Sequence, residues 1–182
     1  MRGTATGTIF CAGSSQSRVI GRPKGKRMKV DVYVAAENKQ PRKGERWTGF
    51  LIRAEVNGQA AERVGVKNSD STLYKAMIMT IVEALDRFTR PAEITIHLDS
   101  DWILGKLIVI DDGKRTLDVW QENGWKTSRG TVIKNRDEWQ RLYNKLRVFE
   151  NSGAKFHFEK LPEDDRNREK IIFIIEQKRR EP

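Results

Sequence analysis

The chain has 182 residues, enough for one domain of ordinary size and too few for two. Hydrophobic residues make up 37% and charged residues 33%, with 35 Lys and Arg against 25 Asp and Glu, for a formal net charge of +10. No apolar run reaches the ~18–20 residues of a membrane span. One cysteine (Cys11) and two histidines (His97 and His157) exclude a disulfide framework and any Cys- or His-rich metal site.

Residues 1–27 carry six basic side chains (Arg2, Arg18, Arg22, Lys24, Lys26, Arg27) and no acidic one, so the other residues hold only +4 of the net charge. This stretch is rich in Gly, Ser and Thr and has no period of 2 or 3.6. It reads as a flexible basic arm that adds phosphate affinity, or as an unstructured leader with Met28 as the true start. The apolar stretch around Ile9–Ala12 is too short for a secretory signal, and a cytoplasmic location is expected; a monomer is expected as well.

The domain follows over residues 28–182. Lys29–Ala36 alternates and is rich in Val, the pattern of a strand. Residues 38–46 form a polar loop, and Trp47–Val56 reads as the second strand. Asn57-Gly58 is a hairpin turn, because both residues tolerate positive φ. Ala60–Val66 is then the third strand. Asp70 or Ser71 can cap a helix whose apolar face runs Leu73, Ala76, Met77, Ile81, Leu85 and Phe88. Pro91 stops it. Glu93–Leu98 is the fourth strand, followed by a short helix over Trp102–Ile108 and a turn at Asp111-Asp112-Gly113. Leu117–Asn123 is a second short helix ending at Gly124. A basic loop over residues 124–134 leads to an amphipathic helix, Arg136–Phe149. Lys155–Lys160 is the fifth strand. The run Ile171–Ile175 fits a strand or a helix, and its position favours a helix from about Asp165. A meander feeding strand–helix crossovers implies an α/β fold, a mixed five-stranded sheet with helices on both faces.

At this point the sequence resembles the ribonuclease H family, type I. The residues that carry the likeness are His97-Leu98-Asp99-Ser100-Asp101-Trp102, then Trp120, Gly124-Trp125-Lys126-Thr127 and the run from Val132 to Leu142, and finally Phe156–Lys160. The resemblance covers roughly residues 28–170, and the segment between Asp101 and Trp120 is a few residues longer than the family's. The resemblance implies a ribonuclease H-like fold and a site of four carboxylates holding Mg²⁺. They stand at the end of the first strand, in the first helix, at the end of the fourth strand and near the last helix. Hydrolysis there uses two ions about 3.5–4 Å apart.

Asp99 matches the fourth-strand carboxylate and is the expected metal ligand; the lesser alternative is a helix cap. The same alignment puts Ala35 and Met77 where the first-strand and first-helix carboxylates belong. Glu37 and Glu169 are the remaining catalytic candidates, with Asp164 and Asp165 beside the latter; each also reads as a solvated charge or a helix-dipole partner. His157 lies in a strand and reads as structural.

The resemblance further implies that Trp120, Trp125, Lys126, Thr127, Arg129, Lys134 and Asn135 form a basic protrusion that grips one strand of a nucleic acid duplex, Lys and Thr meeting phosphates and indoles meeting sugars or bases. Trp139 is expected to be structural. Asn38, Lys39, Arg42, Lys43 and Arg46 form a second basic region in the first loop. Two functions compete. One is a module that binds RNA–DNA hybrid or related duplexes with impaired catalysis. The other is an active Mg²⁺-dependent nuclease cutting the RNA strand with an irregular carboxylate set.

Overall fold

A computed structural model describes residues 27–110 and 113–181. The expected arm over residues 1–27 lies outside the described residues except for Arg27, as does the Asp111-Asp112 part of the expected turn. The elements run β1 (Lys29–Ala36), β2 (Gly44–Val56), β3 (Gln59–Ser71), α1 (Leu73–Leu85), β4 (Glu93–Leu98), α2 (Asp101–Leu107), α3 (Thr116–Glu122), α4 (Arg136–Asn151), β5 (Lys155–Lys160) and α5 (Arg166–Arg180).

The sheet order is β3-β2-β1-β4-β5. β1, β2 and β3 form an antiparallel meander, β4 runs parallel to β1, and β5 runs parallel to β4. Asn57 and Gly58 turn the β2–β3 hairpin with φ of 53° and 76°, the left-handed pair that a two-residue loop needs. The expected mixed five-stranded sheet is therefore present.

The alternation of β1 decides how the layers stack. Val30, Val32, Val34 and Ala36 point into the larger core cluster, with Met77, Ile81 and Leu85 of α1 and Trp139, Leu142 and Leu146 of α4. Ala35 points the other way, into a smaller cluster with Leu51, Leu161, Ile171 and Ile175. The ambiguous Ile-rich run is thus a helix, α5, which covers β1, β2 and β3 on the second face. Helices lie on both faces. A side chain such as Ile81 or Leu85, fully removed from water, stabilises by about 1.5–3 kcal/mol.

The boundaries differ most from expectation in β3, α1 and β2. β3 extends to Ser71 because Asp70 and Ser71 pair with Glu45 and Gly44 of β2. The ladder holds both residues extended, so neither caps α1; Thr72 stands at the N-cap and makes no side-chain bond there. α1 ends at Leu85, short of Phe88, with Arg87 and Phe88 N–H groups bonding back to Ala84 and Leu85 in tight turns. β2 begins at Gly44, inside the segment read as loop. Asp165 does cap α5, its carboxylate accepting the Asn167 N–H at 2.7 Å.

Candidate nucleic-acid interface and strand-end carboxylate

Asp99 closes β4, where its strand lies beside the end of β1. Its side chain is fully covered. One oxygen, Oδ2, accepts the Ala36 N–H at 3.3 Å and the Arg168 Nε–H at 3.3 Å, with Lys39 Nζ at 3.9 Å. The other, Oδ1, is buried without a partner among the described residues. Burial pushes the Asp99 carboxyl above its ordinary pKa, and the Lys39 charge, the Ala36 N–H and Arg168 only partly offset that.

Sequence reasoning missed Arg168. It lies three and seven residues before Ile171 and Ile175, on the inward face of α5 one turn in from the cap. That spacing is the signal that could have found it. Lys39 comes from the β1–β2 loop and also meets Glu163 Oε1 at 2.9 Å, which ties that loop to the segment before α5.

The other expected ligands are not gathered around Asp99. The Glu37 carboxylate is taken by Arg179 Nη1 at 2.8 Å, in the last turn of α5. Glu169 lies on α5 and is not part of the cluster around Asp99. Asp101 is paired with Lys160 at 3.0 Å. Ala35 and Met77 are both fully buried among apolar side chains. Among the described residues no three His, Cys, Asp or Glu side chains are arranged to hold a metal ion. The hard-oxygen donor set that Mg²⁺ requires does not fit here: one carboxylate is covered, and two cationic side chains stand on it.

The protrusion is a hairpin. Lys126 bridges Val132, the Ile133 N–H reaches Trp125 O at 3.0 Å, and the Thr127 N–H reaches Thr131 O at 2.8 Å. The Thr127 hydroxyl accepts the Thr131 N–H at 3.2 Å, which leaves that side chain partly engaged in the turn. Lys126, Arg129 and Lys134 are exposed and form no ion pair among the described residues. They make a solvent-facing cationic edge. Asn135 sits half-buried at the start of α4 in the left-handed conformation, φ 58°.

The tryptophans correct the sequence reading. Trp125 is 4% exposed, donates its indole N–H to Gln121 at 2.7 Å and meets Tyr143 edge-on. It anchors the hairpin from below and offers no open face to a ligand. Trp120 is half-buried, edge-on to the fully buried Trp139. The more open indole is Trp102, 40% exposed, which stacks on Tyr74. The Lys106 ammonium lies 5.4 Å from the Trp102 ring and 5.8 Å from the Trp120 ring. The second basic region is also partly spent internally. Arg46 is buried and clamps the loop through the Asn38 and Arg42 carbonyls, and Lys43 pairs with Asp70 at 3.1 Å.

No family model matches the chain. Curated relatives do. The chain is 32% identical over 95 residues to a ribonuclease H of Xanthomonas campestris pv. campestris, covering 52% of this chain and 59% of the relative. It is 34% identical over 94 residues to a ribonuclease HI of Xylella fastidiosa, covering 52% and 58%. In these matches it spans somewhat over half the length of the relatives. Among solved structures, a type 1 ribonuclease H with the type 2 active-site motif superposes with TM-score 0.57 at 19% identity, over 81% of this chain and 70% of that one. The RNase H domain of PFV gives 0.55 at 12% identity, over 83% and 93%. A foamy viral protease–reverse transcriptase in complex with RNA/DNA hybrid gives 0.54 at 14%, over 81% and 19%. The chain therefore has the ribonuclease H fold and is related in sequence to ribonucleases H over half its length.

Proposed function

We propose that the chain is a nucleic-acid-binding domain that recognises RNA–DNA hybrids or related duplexes and does not cleave them by the two-metal route. One observation carries this reading: Asp99 lies covered beneath Arg168 and Lys39, while Ala35 and Met77 belong to the packed core. Two-metal hydrolysis needs carboxylates on both sides of the scissile phosphate. The binding half of the reading rests on the cations Lys126, Arg129 and Lys134, unpaired among the described residues, on Asn135 beside them and on the exposed Trp102. The RNA/DNA hybrid held by the foamy viral protease–reverse transcriptase, which shares the fold, supports the choice of ligand. The six basic side chains of residues 1–27 add phosphate neutralisation without sequence preference.

The test is a labelled RNA–DNA hybrid incubated with the full chain. Binding is expected at low salt, falling steeply as salt rises, with no Mg²⁺- or Mn²⁺-dependent cleavage. Cleavage that disappears in Asp99→Asn overturns the non-cleaving reading, and binding insensitive to salt overturns the duplex reading.

A further inference from the structure

Two cationic side chains, Lys39 and Arg168, stand on the covered Asp99 carboxylate, and it does not saturate the donors of either. The Asp99 side chain is fully covered and accepts the Ala36 backbone N–H. It holds Arg168 by Nε alone. Of the remaining guanidinium nitrogens, Nη1 reaches the Glu163 carbonyl at a long 3.4 Å and Nη2 has no partner among the described residues. Lys39 has three donor hydrogens and a side chain 34% exposed. Its nearer partner is Glu163, whose side chain is 79% exposed and stands at the surface. An exposed pair of that kind is weak and readily exchanged. Arg168 also lies in the first turn of a 15-residue helix, where the helix dipole favours an anion.

We propose that Lys39 and Arg168 form a metal-free phosphate site at the ends of β1 and β4, taking one backbone phosphate of the bound nucleic acid directly, with Glu163 as the carboxylate that the phosphate displaces. This rests on the nucleic-acid reading above and names the side chains that do the work. Asp99 is a positioning residue: a covered carboxylate on which Lys39, 34% exposed, and Arg168, 16% exposed, both stand. The phosphate replaces the Glu163 carboxylate on Lys39 and adds a charge-assisted bond from the idle Arg168 nitrogen. No bond is made or broken covalently.

The experiment measures Kd of the full chain for a labelled RNA–DNA duplex across a salt series, in EDTA and in Mg²⁺ at matched ionic strength. Lys39→Ala and Arg168→Gln are expected to weaken binding about tenfold each, and Lys39→Ala to lower the log–log salt slope by about 1. Glu163→Gln is expected to tighten binding about threefold, because a competing carboxylate is gone. Glu55→Gln, the same charge change at the exposed end of the β2–β3 hairpin, sets the effect of net charge alone. Binding is expected to be equal in EDTA and Mg²⁺. Should Arg168→Gln melt early, Lys39→Ala and Glu163→Gln, both at side chains that reach solvent, decide the matter by their opposite signs. Weaker binding by Lys126→Ala with Lys134→Ala, while Lys39→Ala matches the unmodified chain and Glu163→Gln matches Glu55→Gln, overturns the phosphate site and leaves the duplex reading standing. Binding that requires Mg²⁺ overturns it too. Absence of any binding by the unmodified chain overturns both.

Discussion

Arg168 Nε lies 3.3 Å from Asp99 Oδ2, joining the first turn of α5 to the end of β4 over a buried carboxylate. The contact occupies the place where the family resemblance leads one to expect a metal ion. It also sets the titration of the strand end, because burial outweighs the two cations and leaves Asp99 costly to ionise.

The first prediction follows from that sign. A carboxyl whose folded pKa is raised favours the fold at low pH, and that contribution is lost as pH rises from the ordinary aspartate value through the folded pKa. Asp99→Asn cannot ionise. Its stability relative to the unmodified chain is therefore expected to rise as pH climbs from about 4, the ordinary aspartate range, towards neutrality. Urea unfolding at a series of pH values checks this, and a difference that does not change with pH counts against it.

A second prediction concerns rebuilding the metal site. Ala35→Asp with Met77→Glu supplies two carboxylates but leaves Arg168 and Lys39 in place. The pair is expected to gain little Mg²⁺ affinity until Arg168→Ala is added, when calorimetric Mg²⁺ binding should appear. Met77→Glu alone puts an unpaired charge in a fully buried position and should cost several kcal/mol, about 2–7 on the scale for an uncompensated polar group. Metal affinity gained by the double variant alone runs against this account.

The third prediction separates anchoring from contact in the protrusion. Trp125 and Trp139 are both buried, so each change to Ala should lower stability by about 3–5 kcal/mol. Lys126→Ala with Lys134→Ala should leave the melting temperature within error and reduce the salt slope of duplex binding by about 2. Thermal melts beside binding isotherms show whether the two classes part in this way.

The fourth lies away from the proposed binding residues. Arg115 is buried and bonds Asp118 through Nε and Nη2 and Glu150 through Nη1 and Nη2. Burial raises the Asp118 pKa, but the bonds from Arg115 win and hold it below the usual value. Arg115→Met strands both carboxylates. Because these are 22% and 25% exposed, the cost should be about 2–3 kcal/mol, under the 3–5 of a fully buried pair. The loss should shrink in acid, as pH falls through the Asp118 pKa. A denaturant midpoint that does not move rejects it.

Much of the fold was legible because its signals are local. The Val alternation of β1, Asn57-Gly58, the stripe of α1 and the Gly124 stop each act within a few residues. The misplaced cap shows the limit. Asp70 and Ser71 are good capping residues, yet their state is set by Glu45 and Gly44 of β2, far back along the chain. The site was less legible for the same reason. The absent carboxylates at Ala35 and Met77 could be read from alignment, but the pairing of Asp99 with Arg168 joins side chains 69 residues apart. The tryptophans misled because an indole serves equally to anchor a hairpin or to stack on a base. Only depth separates Trp125 from Trp102.

The distances along the chain that hid this site also fix when it forms. The β2–β3 hairpin needs only a two-residue loop to close. The Ala36–Asp99 and Asp99–Arg168 contacts close loops of 63 and 69 residues and depend on β4 lying beside β1. The strand-end cluster is therefore expected to consolidate late on the folding route. Substitutions at Asp99 or Arg168 are expected to leave the refolding rate nearly unchanged and to act on the rate of unfolding, so that stopped-flow chevrons shift on the unfolding arm alone. The cluster around Asp99 is then expected to depend on how long the native state lasts, and the hairpin turned by Asn57-Gly58 to set how quickly it is reached.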